Sequence, residues 1–184
     1  MSEVSKILSD LEKGDSCAAE KLFPIVYDEL RRMAQAKLVQ EKAGDSFQAT
    51  ELVHEAYLRL VDGDVGTSFR NRRYFFGAAG EAMRRILVDR ARRKGRVRHG
   101  GEHSRVDLLD VGSMPDDREL LALDDALRHL AAEDQVAAEV VNLKFFAGLS
   151  REAIAEVMVL SIHDVRTKWA YARAWLQVAI DERI

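Results

Sequence analysis

Between Ser68 and Gly101 the chain reads SFRNRRYFFGAAGEAMRRILVDRARRKGRVRHGG. Phe69, Tyr74, Phe75 and Phe76 are interleaved with Arg70, Arg72 and Arg73, and further cations follow at Arg84, Arg85, Arg92, Arg93, Lys94, Arg96 and Arg98. The chemistry this mixture supports is capture of single-stranded nucleic acid. Cations track the phosphates, and each aromatic face that stacks on an unpaired base contributes roughly 1–3 kcal/mol. Phe75 and Phe76 are expected in the core, whereas Phe69 and Tyr74 lie at a loop–helix junction and are the aromatics free for bases.

A second constellation lies near the C-terminus, FFAGLSREAIAEVMVLSIHDVRTKWAYARAWL. Ser150 and Ser161 are each placed to cap a helix, their hydroxyls accepting from backbone N–H groups that lack a helical partner. The first helix turns Ile154, Val157 and Met158 inward, with small Ala155 where a second helix approaches. The second buries Ile162, Val165, Trp169, Ala172 and Leu176. Its other side presents His163, Thr167, Ala170 and Tyr171, flanked by Arg166 and Lys168. A helix laid in the major groove needs such a polar edge with cations beside it for phosphates. A solvated helical hairpin would share the periodicity. Val159 occupies a turn position often held by glycine, so a distorted turn is expected.

Other chemistry is poorly supported. His99 and His103 bracket Glu102, but Gly100 and Gly101 intervene and no third metal ligand is evident. His54-Glu55 is not followed by a second histidine at metalloprotease spacing. No phosphate-binding glycine loop and no nucleophilic triad stand out, so neither an enzyme nor a metal or cofactor is expected. The lone cysteine, Cys17, excludes an internal disulfide framework and fits a reducing cytosol. The N-terminal stretch lacks the pattern of a secretory signal and no apolar run is long enough for a membrane span, so a cytoplasmic location without membrane insertion is expected.

The elements that position these residues are all helical in period. Apolar residues recur at helical spacing, with two prolines and no alternating β-branched run. Helices are predicted at about 3–12, 18–40, 50–61, 72–93, 117–131, 134–147, 150–158 and 162–180. Residues 94–118 carry five of the glycine and proline punctuators and swing from basic to acidic, which reads as a linker. The predicted architecture is all-α: two small helical domains, 1–95 and 117–184, joined by a flexible linker over 96–116, the C-terminal one a helix-turn-helix. Charge follows that division. Residues 1–68 hold 8 basic and 13 acidic side chains, residues 69–105 hold 12 and 3, and residues 106–184 hold 8 and 15. A basic band between two acidic thirds points to one localised polyanion site.

These blocks, in this order, resemble an extracytoplasmic-function (ECF) sigma factor of the sigma-70 family, a promoter-specificity subunit of bacterial RNA polymerase. LEKGDSCAAEKLFPIVYDELRRMA resembles the first block of that family, TELVHEAYLRL the block that docks on the polymerase clamp helices, the basic band the −10 recognition and melting block, and the C-terminal pair the −35 reader. The resemblance implies a transcription initiation factor whose partners are core RNA polymerase, through its clamp helices and flap, and promoter DNA. An anti-sigma factor or a Ser/Thr kinase would be a further partner. It assigns core binding to Thr50, Glu51, Leu52, His54, Glu55 and Arg59. It assigns the −10 strand to Phe69, Arg70, Arg72, Arg73, Tyr74, Arg84, Arg85 and Arg92, and the −35 duplex to Ser161, His163, Arg166, Thr167, Lys168 and Tyr171.

One departure from the family pattern is informative. The family is acidic at three places around the start of the clamp-binding helix, and here those places read Gln48, Thr50 and Glu51. A phosphate on Thr50 would restore about -1.5 to -2 charges at a helix N-terminus, where anions are favoured. The plain alternative makes Thr50 a helix cap. Two other functions remain open from the residues alone: an autonomous helix-turn-helix regulator that needs no core polymerase, and a helical RNA-binding or adaptor protein that uses the basic band alone.

Overall fold

The computed structural model describes residues 6–7, 10, 25, 27–32, 34, 49–62, 71–95 and 116–181. The expected linker lies outside the described residues apart from Asp116, as do the candidate site residues Phe69 and Arg70 and the pair His99 and His103. Every regular element among the described residues is helical. The helices are α1 (Ala49–Asp62), α2 (Arg72–Gly95), α3 (Asp117–Glu133), α4 (Gln135–Val141), α5 (Arg151–Met158) and α6 (Ile162–Asp181), with a π-helical turn over Asn142–Phe146. Of the two earlier predicted helices, Ile7, Leu30 and Ala34 are described as helical and buried.

Helix α1 forms because its apolar residues share one side. Leu52, Val53, Ala56 and Leu60 are buried and pack toward α2. Helix α2 starts at a side-chain cap absent from the predictions, Asn71, whose Oδ1 accepts from the Tyr74 N–H at 3.0 Å. Phe75 and Phe76 are both in the core, their rings meeting edge to face with centroids 5.1 Å apart. Met83 and Ile86 are buried as the period requires, but so are Ala82, Val88 and Ala91. Helix α2 is therefore covered on more than one side. One side packs on α1, and another packs on α3 and the π turn.

The second half of the chain is built on caps. Asp116 opens α3 with a reciprocal box. Its Oδ1 accepts from the N–H groups of Arg118 and Glu119, and its own N–H donates to Glu119 Oε2 at 2.8 Å. Asp134 ends α3 and begins α4, its Oδ1 accepting from the Ala137 N–H at 2.9 Å. A single α-helix is predicted to run on to residue 147. Instead the chain widens at Asn142, where the Ala147 N–H reaches back five residues to the Asn142 carbonyl at 3.1 Å. The wider turn buries Leu143, Phe145 and Phe146 together while leaving Asn142 free to face α2. Gly148, at φ 69°, takes the left-handed conformation that closes this segment.

A single cluster of buried apolar residues runs from Leu30 and α1 through α2 to α6 among the described residues.

Candidate polymerase and nucleic-acid interface

The outward side of α1 carries Glu51 and His54, both exposed. Leu58 lies on the same stripe and is 44% exposed, an apolar residue that sequence reasoning missed although its spacing from Glu51 and His54 is helical. Leu52, grouped with these residues by the motif, is fully buried and holds α1 on the core. Glu55 and Arg59 face each other along the helix at 3.0 Å, and Arg59 also donates to Asp89 Oδ2 of α2 at 3.0 Å. Arg59 thus pins α1 to α2. Helix α1 begins at Ala49, which puts Thr50 inside the first turn rather than at the residue before it.

On α2 the candidate site residues divide into two groups. Tyr74 stands 46% exposed at the start of the helix, and Arg85 is exposed while bonding Glu81 within the helix at 2.8 Å. The others meet acids from the second half of the chain. Arg73 donates through Nε and Nη2 to the two carboxylate oxygens of Glu139 at 2.8 and 2.6 Å. That doubled hydrogen bond holds the Arg73 guanidinium above its ordinary pKa. Arg72 lies 3.7 Å from Glu156. Arg84, largely buried, pairs with Glu81 at 2.7 Å and faces Asp124 at 3.6 Å. Arg92 approaches the same Asp124 at 3.8 Å, and Arg128 bonds it at 2.9 Å. Sequence reasoning identified none of Glu139, Glu156 or Asp124. Asp124 alone left a trace: it falls between Leu120 and Leu127 on the apolar side of α3, where a carboxylate needs cations around it.

In the C-terminal pair, Ser150 Oγ accepts from the Ala153 N–H at 3.1 Å. Ser161 Oγ accepts from the Asp164 N–H at 3.0 Å and donates to Asp164 Oδ2 at 2.6 Å, and this bond lowers the Asp164 pKa. The turn between α5 and α6 keeps a left-handed residue. Val159 adopts φ 56°, ψ 47° and is 89% exposed, while the Leu160 N–H closes back on the Ala155 carbonyl at 2.9 Å. The expected distortion is absent; the strain sits on Val159 itself. Val165, Trp169, Ala172 and Leu176 are buried as predicted, whereas Ile162, in the first turn, is 42% exposed. His163, Arg166, Thr167 and Tyr171 share the exposed side of α6. Lys168 turns away from them to bond Asp134.

An amphipathic α1, a basic helix with an exposed aromatic at its start and an exposed polar edge on α6 occur here in one order along one chain. The family model described as ECF sigma factor matches residues 1–182. The chain belongs to the ECF sigma factors. No curated relative matches it. As a sigma factor it is a promoter-specific transcription initiation factor that works with core RNA polymerase on promoter DNA, in a family of transcription factors rather than enzymes. No helix among the described residues is long and apolar enough to cross a membrane. None of the described residues form a group of three or more His, Cys, Asp or Glu able to hold a metal ion.

Proposed function

We propose that this sigma factor docks on the polymerase clamp helices through the outer stripe of α1, with Glu51, His54 and Leu58 at its centre. The first half of the chain, residues 1–95, then holds melted −10 DNA through Tyr74, Arg72, Arg73, Arg84, Arg85 and Arg92, together with Phe69 and Arg70. The second half, residues 117–184, reads −35 duplex through Ser161, His163, Arg166, Thr167 and Tyr171. Core polymerase tethers both halves, so modest affinity in each sums through effective concentration. The observation that carries this reading is the exposed polar edge of α6 set against the buried stripe Val165, Trp169, Ala172 and Leu176.

Docking is set by charge at the start of α1. Two of three acids expected there are replaced by Gln48 and Thr50, and Glu55 shares its carboxylate with Arg59. That leaves Glu51 as the acid at the front of this stripe. Thr50 lies in the first helical turn, where the aligned backbone N–H groups favour an anion. Phosphorylation of Thr50 by a Ser/Thr kinase supplies the missing charge and strengthens docking. Core-polymerase affinity of wild type, Thr50→Ala and Thr50→Glu tests this. Tighter binding by Thr50→Glu and by the phosphorylated protein is expected; equal affinity in all forms sinks the switch.

A further inference from the structure

Ile162 departs from the stripe to which its spacing assigns it. Val165, three residues on, and Trp169, seven on, are buried, yet Ile162 is 42% exposed. It is the first residue of α6, where each Cα–Cβ bond leans toward the helix N-terminus. Its side chain therefore projects at the leading end of the helix, beside the turn. Arg166 follows four places on and shares that flank, with His163 and Thr167 next to it, all three exposed. The turn itself leaves this end open: Val159 is 89% exposed, and the Leu160 N–H bends back to the Ala155 carbonyl at 2.9 Å.

An exposed isoleucine among polar side chains has one apolar counterpart in a major groove. Guanine, cytosine and adenine present donors and acceptors there, while thymine adds a C5-methyl group. Residues near the N-terminal end of a helix laid in that groove are the ones that reach base edges. We propose that Ile162 is a specificity residue of this sigma factor, reading the methyl of a thymine in the −35 duplex. This rests on the assignment of α6 to that duplex and adds a base preference to it. Arg166 carries the fork that fits guanine O6 and N7. Four residues of helix separate it from Ile162, about 6 Å, which spans roughly two base steps. The favoured duplex therefore holds a thymine, on either strand, within about two steps of a guanine.

The neighbours of Ile162 narrow the choice of reader. Ser161 and Asp164 are engaged with each other, Ser161 Oγ donating to Asp164 Oδ2 at 2.6 Å. The first turn thereby leaves Ile162 and His163 to meet a base. Thr167 and Ala170 also offer methyl groups on this edge and are separated from Ile162 by mutation. Ile162 lies outside the buried stripe, so changing it leaves Val165, Trp169, Ala172 and Leu176 in place.

Deoxyuridine differs from thymidine only in lacking that methyl, so it isolates the contact. Wild-type chain assembled with core polymerase first selects its −35 duplex from a pool randomised over that region. Each thymine of the selected duplex is then replaced singly by deoxyuracil. Affinity is measured for polymerase carrying wild type, Ile162→Val, Ile162→Ser or Arg166→Ala. At one position wild type is expected to lose about fourfold, the worth of one buried methyl. Ile162→Val should keep that loss, and Ile162→Ser should bind both duplexes alike. An undiminished loss in Ile162→Ser overturns the proposal and passes the methyl to Thr167 or Ala170. A selected duplex without thymine, or a wild type indifferent to every replacement, overturns it as well. In each of these failures, weaker binding of the selected duplex by Arg166→Ala spares the assignment of α6. Undiminished binding by Arg166→Ala removes that assignment too.

Discussion

Lys168 of α6 donates from Nζ to Oδ2 of Asp134, a residue 34 positions earlier at the junction of α3 and α4. A lysine expected at DNA instead braces α6 against the element behind it. Asp134 serves three neighbours at once, since its other oxygen also caps Ala137 and its N–H closes α3 on the Leu130 carbonyl.

Asp134→Ala is expected to cost about 1 kcal/mol of stability, the usual worth of a helix cap. The Lys168 bond, first, and the Ala137 N–H hold the Asp134 carboxyl below its ordinary pKa of 3.8. The sign follows: a lowered folded value means the stabilisation is complete above that ordinary value and is lost as pH falls through the folded one. Urea melts at neutral pH and at successively more acid pH should show the wild type losing its advantage over the variant.

Glu29 behaves in the opposite sense. Burial raises its carboxyl pKa against the opposing pull of Arg32, which pairs with it at 2.7 Å. The folded state therefore prefers the protonated form, and stability is withdrawn as pH rises through the unfolded and then the folded value. Glu29→Gln should melt above wild type at neutral pH, and the gap should close in mild acid. A lower melting point for the variant at every pH would refute this sign.

Val159 is a β-branched residue held in left-handed backbone with its side chain in water. Glycine removes a penalty of roughly 1–2 kcal/mol and returns part of it as lost chain entropy. Val159→Gly is expected to stabilise by about 0.5–1 kcal/mol, a rise of about 1–4 °C in Tm for a chain of this length. Differential scanning calorimetry checks it.

Tyr74 and Phe75 are neighbours with opposite duties. Phe75→Ala empties a core position and should cost about 3–5 kcal/mol of folding stability. Tyr74→Ala should leave the melting temperature nearly unchanged, yet weaken binding of a −10 single strand by the polymerase complex by roughly 1–3 kcal/mol. Similar melting for the two variants would reverse these assignments.

What could be seen in the sequence was whatever depends on local period. The positions of α1, α5 and α6, the caps Ser150 and Ser161, and burial of Val165, Trp169 and Leu176 all follow from residues a few places apart. What could not be seen depends on distant segments. Val88 and Ala91 lie toward the side of α2 that carries Gly77 and Gly80, which meets Asn142, a residue beyond the linker, so their burial could not be read from local period. Arg73 read as a free cation for the same reason, its partner lying 66 residues on. The π turn escaped notice because it differs from α-helix in the pairing of backbone groups, and Asn142–Phe146 carries no residue that demands it.

That turn has a mechanical consequence. Holding one residue more than α pitch, it rotates everything after Phe146 by about 100° relative to an unbroken helix. Deleting one residue there would swing the α5–α6 pair around by more than a quarter revolution and leave every side chain of α6 intact. The orientation of the exposed edge of α6 is set by a phase shift in the backbone, upstream of every residue on that edge.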